Sequence, residues 1–406
     1  MKRKSFPDII KNFAPSWFSV TMGTGITGIL IYTTPYQFHG CHTLGKIFFA
    51  LNCILFISFF VISVIRYTVF PYTINLLLCH PGQSMFIGTM PMGLATIVNS
   101  VVFMFPKEQY HWAPNLAFVL YFIDVAFMLF SVLVVPFFKL AIQKHSMETM
   151  YTTWLLPIVP AVVTAATGSV VASVLEYERA KLVLILSYLI WGLGFPLSMC
   201  IIAFYYSKTV IYKLPPPELL ISVFLPLGPL GQGSFGILNM GITSTKLFNA
   251  TGKEFVPVDM ISKVAEAGGT LMGLVIWGFG IFWLSMAVAC VIYGLAHNEV
   301  KFNIGWWGLT FPLGVFISST NTLATLLQNR GFKIFGAVLT ISLTILWFYC
   351  MFFTLRGIYT TKMFVAPCLT PQSFPTDNNV DQEPQPEPKP GTDEMEVLER
   401  ELESAE

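Results

Sequence analysis

Charge is what this sequence has least of. Asp, Glu, Lys and Arg make up 11% of its 406 residues, against about 25% in a soluble globular chain. Apolar residues make up 54%, and they come in long blocks. Together these exclude an ordinary soluble domain and point to a polytopic helical membrane protein. The frameworks of metal and redox chemistry are missing too. Seven cysteines are scattered without a Cys-x-x-Cys, so neither a disulfide scaffold nor a zinc site is expected. Six histidines form no His-x-x-x-His pair, which argues against a membrane di-iron or zinc enzyme. The nearest approach, His39-Gly-Cys-His42, reads as a solvated loop cluster. Gly252-Lys253 is followed by Glu254 and lacks the upstream glycine of a phosphate-binding loop, so ATP-driven pumping has no support. No catalytic residue, cofactor, metal or nucleic-acid partner is expected. A cleavable signal is absent as well. Residues 1–12 are basic (Lys2, Arg3, Lys4, Lys11) and no small-residue cleavage site follows, so the first apolar block is expected to remain as a span.

What is present is ten apolar segments, at about 13–34, 43–70, 83–105, 115–140, 152–175, 181–207, 218–244, 266–295, 304–327 and 332–361. Each has the roughly 20 residues a span requires. With both termini in the cytosol, fourteen bases fall inside and nine outside, a modest positive-inside bias. The sequon Asn249-Ala-Thr251 then falls outside. Three regions follow: a basic cytosolic N-terminus at 1–12, a ten-helix domain at 13–362, and a tail at 363–406. Gln382-Glu-Pro-Gln-Pro-Glu-Pro-Lys-Pro390 cannot build a core and predicts disorder. The stretch from Asp377 onward holds eleven acids and two bases, leaving eleven acids and twenty-one bases before it. A cationic body raises the local concentration of anions, though bases also simply gather at cytosolic span ends.

Odd and even segments differ in chemistry. The even ones are continuous and greasy, as in Leu55-Phe-Ile-Ser-Phe-Phe-Val-Ile62. The odd ones are interrupted and rich in small residues: Met22-Gly-Thr-Gly-Ile-Thr-Gly28, Gly88-Thr-Met-Pro-Met-Gly-Leu-Ala-Thr96, Pro157-Ile-Val-Pro160, Leu225-Pro-Leu-Gly-Pro-Leu-Gly-Gln-Gly-Ser-Phe-Gly236 and Thr310-Phe-Pro-Leu-Gly314. Small residues in spans serve close packing. A period of two spans repeated five times predicts more: an all-α integral membrane fold of five helical hairpins around a central pore, with broken odd helices inside. Irregular backbone at membrane depth is tolerated where it is buried in protein or lines a watery cavity.

An uncharged lining of Gly, Ser, Thr and Gln suits a small anion. Broken helices offer it N–H groups and positive helix ends, and conduction requires weak, shared binding. The candidate lining residues are Gly23, Thr24, Gly25, Thr89, Pro91, Thr164, Gln232, Ser234, Thr310 and Asn321. Phe311, beside Pro312, could close a narrow pore by excluding water. Asp124 is the acid placed deepest in a span. It is open to reading as a proton or ion-pair site, as a structural hydrogen bond, or as a subunit contact.

These residues resemble the tellurite-resistance and dicarboxylate transporter family, which includes the plant slow anion channels, and within it the fungal sulfite-efflux branch. Leu227-Gly-Pro-Leu-Gly-Gln-Gly-Ser-Phe-Gly236 carries the likeness, with Pro91-Met-Gly-Leu, Tyr121-x-x-Asp124 and Trp306-Trp-Gly-Leu-Thr-Phe-Pro-Leu313. The resemblance implies a plasma-membrane homotrimer in a lipid bilayer, with one pore per protomer. It implies sulfite or bisulfite as the exported anion, with malate, chloride or nitrate as the family's alternatives. It also implies a ninth-helix phenylalanine plug, matched by Phe311, packed on a first-helix glycine, for which Gly23 or Gly25 qualifies. The long kinase-target N-terminus of the plant channels has no counterpart here.

Overall fold

The computed structural model describes residues 5–249, 258–297, 302–361 and 363–369. The acidic tail from 370, the completion of the Asn249 sequon and Gly252-Lys253-Glu254 fall outside them. Those up to Leu369 form one compact unit.

Each apolar segment yields one long helix: α1 Phe18–Thr33, α2 Cys41–Val69, α3 Thr89–Met104, α4 Ala113–Leu129, α5 Val159–Ala172, α6 Tyr177–Tyr212, α7 Leu227–Asn249, α8 Val258–Ala296, α9 Trp307–Leu326 and α10 Arg330–Tyr359. Helix α4 runs on through a π turn, Phe130–Val134, into Val135–Ala141. Helices are what a span requires, because hydrocarbon offers the backbone no hydrogen-bond partner. Among the described residues, seven helical stretches are both long and apolar enough to cross a membrane. Helices α1, α5 and α9 are not among the seven. The figure of ten spans therefore remains a sequence expectation, while the multi-pass helical fold is plain.

Consecutive helices pair as hairpins, α1 with α2 through α9 with α10. The odd helices also contact one another in the cycle α1–α3–α5–α7–α9–α1. That closes an inner ring, with the even helices outside it. Burial follows the same division. The most apolar stretch of Pro217–Leu247, which covers most of α7, is 89% buried, whereas that of α2 is 17% buried. Indole N–H groups on outer helices pin inner ones: Trp347 on α10 donates to Thr24 at 3.0 Å, and Trp277 on α8 donates to Thr320 at 2.9 Å.

The breaks in the odd helices do not lie where the proline and glycine runs alone suggest. Each odd helix is preceded by a 3₁₀ stretch: Pro15–Trp17, Ser84–Gly88, Thr152–Leu155, Pro217–Phe224 and Ile304–Trp306. Pro91, Pro160 and Pro229 then fall in the first turns of α3, α5 and α7. A missing N–H costs nothing there, since the first four donors have no intrahelical acceptor. Of the odd-helix prolines, Pro312 alone is interior to its helix.

The glycines of α7 serve helix contact. A side-chain carbon at Gly231 would sit 2.5 Å from the Phe316 backbone nitrogen on α9, and one at Gly236 would sit 3.1 Å from Ala166 on α5. After α10, Met363–Leu369 folds back on the N-terminal segment around Asn12–Trp17. The Phe364 ring stacks on Trp17 at 5.0 Å, and Ala366 and Cys368 are buried with Ala14.

Candidate functional site: the central pathway

Three cavities line up inside the ring. The first, of about 280 Å³, is lined by Ser19, Met22, Gln83, Phe86, Leu156, Leu225 and Gly308 among others. The second is a neck of about 20 Å³ between Ile26, Ile29, Thr96, Asn99, Phe103, Val163, Gln232, Phe235, Phe311, Val315 and Ser318. The third, of about 430 Å³, is lined by Ile29, Thr33, Phe103, Phe235, Asn239, Lys246, Ser318 and Asn321 among others.

Residue numbers rise from first cavity to third on every odd helix that lines more than one of them. On α1 the order is Ser19, Met22, Ile26, Ile29, Thr33. On α7 it is Gln232, Phe235, Asn239, Ile242, Lys246. On α9 it is Gly308, Phe311, Val315, Ser318, and then Asn321 and Thr322. Steps of three and four residues keep a stripe on one helix face. The inner helices thus run parallel, and their stripes trace one path along the ring axis. From Ser19 to Thr33 that path spans about 21 Å at 1.5 Å per residue.

The neck is separate from the first cavity, and Phe311 is among the residues that line it. The neck shares Ile29, Phe103, Phe235 and Ser318 with the third cavity, and no lining residue with the first. Phe311 is 2% exposed and belongs to a buried apolar cluster with Met22, Leu156, Val159 and Leu225. A cavity needs roughly 10–15 Å³ to seat one water. The neck therefore admits about one water, too little for a hydrated anion.

Chemically the neck is uncharged. Gln232 has no hydrogen bond to a described residue, and its side chain lines the cavity. Asn99 donates to Thr167 at 3.1 Å, which fixes its amide. Asn52 donates to Thr96 at 3.0 Å. Charge appears only at the ends: Lys246 lines the third cavity and Glu218 the first. Of the bases of the cationic body, Lys246 is the one that lines these cavities. The lining charge at the other end is an acid.

Over residues 12–355 the chain matches the family described as voltage-dependent anion channel. It belongs to that family. The sulfite efflux pumps of Arthroderma benhamiae and Trichophyton rubrum are each 39% identical to it over 360 residues, 87% of this chain and 93% of theirs. The malic acid transport protein of Schizosaccharomyces pombe is 25% identical over 390 residues, 94% of this chain and 84% of its own. The family and these relatives are channels and transporters, and this chain is a multi-pass membrane member among them.

For an anion-channel family member, the candidate lining residues divide cleanly. Phe311, Gln232 and Asn321 line the pathway, and the Asn321 amide is turned against Gly336 on α10. The others face elsewhere. The atoms nearest Gly23 belong to Thr310 and Trp307, and those nearest Gly25 to Thr96 and Asn52. Thr24 accepts from Trp347. Thr89 donates to the Pro15 carbonyl at 3.0 Å. Pro91 lines a separate cavity on the bundle's flank. Thr164 donates to Asp124 at 2.7 Å. Ser234 bonds Ser319 at 2.6 Å and the Gly273 carbonyl at 2.8 Å. Thr310 returns its proton to the Trp307 carbonyl at 2.7 Å. Asp124 is fully buried behind the ring on α4 and does not line the pathway.

Thr96, Asn99, Phe103, Phe235, Asn239, Lys246 and Ser318 reach the pathway without having been candidates. Their signal was in the sequence as the three-and-four spacing 96–99–103 and 232–235–239–242–246. Reading it requires knowing which helix face turns inward.

Proposed function

We propose that this protein exports sulfite or hydrogen sulfite through one such pathway in each protomer, as a homotrimer in the plasma membrane with both termini in the cytosol. The transport domain is residues 13–362. Family membership and the two relatives called sulfite efflux pumps support the substrate. The uncharged, narrow neck between two wider cavities supports a small anion held briefly. In this reading the first cavity faces the cytosol. A negative interior then favours exit by about 2.3 kcal/mol per charge per 100 mV. The anion sheds water at the neck, where the Gln232 amide N–H groups substitute for it, and Phe311 must swing aside; the Thr96 and Ser318 hydroxyls line the neck with their protons given to the Gly93 and Gly314 carbonyls. No proton relay through Asp124 is needed, because that carboxylate sits off the path with Thr164. The narrow uncharged neck, lined by Phe311 and sharing no lining residue with the first cavity, is the observation that carries this reading.

The malic acid relative favours a second substrate. A dicarboxylate is larger than sulfite or hydrogen sulfite, so it needs a wider opening of the same neck. Proteoliposomes under a set voltage decide between them: sulfite flux above malate and chloride flux is expected. Malate or chloride flux exceeding sulfite flux would reassign the substrate and keep the pathway.

A further inference from the structure

A fourth cavity, of about 400 Å³, lies on the flank of the bundle. Its walls are Pro15 and Phe18, Ser63 and Tyr67 of α2, Ile74, Leu77 and Leu78 of the short helix Tyr72–Cys79, Ile87, Met90 and Pro91, and Ala126, Phe127 and Phe130 around the end of α4. None of these lines the pathway. Apart from one hydroxyl and one phenol, both on α2, the side chains are apolar. The walls run on into outward faces of even helices, where Val64 is 46% exposed, Leu133 56% and Phe130 47%. In a membrane protein those faces meet hydrocarbon.

Charge gathers where Tyr67 and the short helix close the groove. The Lys11 ammonium stands 5.9 Å from the Tyr72 ring and 6.0 Å from the Phe70 ring, in the link from α2 to the short helix. Behind Tyr67, the Arg66 guanidinium lies 5.2 Å from that ring; it is fully buried, donating to the Phe13 carbonyl and to the Cys368 sulfur. Neither cation has a carboxylate partner among the described residues. An apolar slot open to hydrocarbon, with cations at the membrane-surface end, has the chemistry of one amphiphile.

We propose that the groove is a phospholipid site. One acyl chain lies between Phe18, Pro91 and Phe127, and an anionic headgroup is drawn to Lys11 from the leaflet on the N-terminal side. That leaflet is the cytosolic one under the orientation proposed above, where anionic lipids concentrate. Phe18 begins α1 and Pro91 sits in the first turn of α3, both pathway helices, so the bound chain wedges the flank of the ring at its N-terminal end.

The test uses the full-length protein in vesicles of phosphatidylcholine with phosphatidylserine bearing a photoreactive acyl chain. Labelling concentrated on Ser63–Leu78 and Ala126–Phe130 is expected. Labels spread evenly over the outer helices would overturn the site. Native mass spectrometry of detergent-purified protein should show phosphatidylserine retained. Retention should be lost in Ala126→Trp, and the preference for phosphatidylserine over phosphatidylcholine lost in Lys11→Glu. Undiminished retention in Ala126→Trp, or efficient cross-linking of two copies through Ser63→Cys, would overturn it too, the latter by giving the groove to a second copy. Labelling needs no variant, so a misfolded Ala126→Trp does not rescue the proposal.

Discussion

Gln232 is 3% exposed, lines the neck and makes no hydrogen bond to a described residue. Under the proposed function it meets the anion in transit. Gln232→Leu should therefore lower sulfite flux roughly tenfold while leaving the melting temperature unchanged or slightly raised, because no bond within the protein is lost. Flux and thermal melting of the same preparation check both halves. Asp124 has the opposite character. Its bond from Thr164 joins α4 to α5, away from the path. Asp124→Asn should cost about 1–3 kcal/mol of stability and leave the pH profile of flux unaltered; a flattened profile would restore a proton-relay role. At this scale the sequence was partly legible. Gln232 stood out as the amide within a glycine run, and Phe311 through its family position. The threonines did not declare themselves. A helical threonine can return its proton to its own backbone, as Thr310 does to Trp307, and no local pattern tells that use from solute binding.

At the scale of elements, the odd–even alternation was readable because two environments impose two compositions. Helices meeting lipid need bulky apolar faces, and helices meeting only protein can carry glycine. What could not be read was where the irregularity falls. Proline and glycine in α7 mark its 3₁₀ lead-in, its first turn and its contact faces. Two glycines separate these functions. Gly231 meets the backbone of α9, whereas a carbon at Gly228 finds nothing nearer than 3.8 Å. Gly231→Ala should force α7 and α9 apart at a cost of about 1–3 kcal/mol or more, and Gly228→Ala should be near neutral. Comparing their detergent melting curves tests the contact, and equal curves would refute it.

For the whole molecule, net charge (+1) says little, since the acidic tail offsets the basic body. What acts on an anion is the charge at the two mouths. Lys246→Glu should reduce flux and Glu218→Gln should raise it. Both effects should fade between low salt and about 1 M, where the screening length falls to about 3 Å. The same substitutions should leave ion preference unaltered, since the proposed function sets selectivity in the uncharged neck.

The most direct measurement of the pathway is voltage-driven sulfite flux in proteoliposomes for the native protein beside Phe311→Ala. Removing the ring joins the first cavity to the neck, so flux in the variant should rise roughly tenfold or more and keep its preference for sulfite over malate. Equal flux in both proteins, each shown to be folded, would mean that the ring does not close the path and would contradict the account.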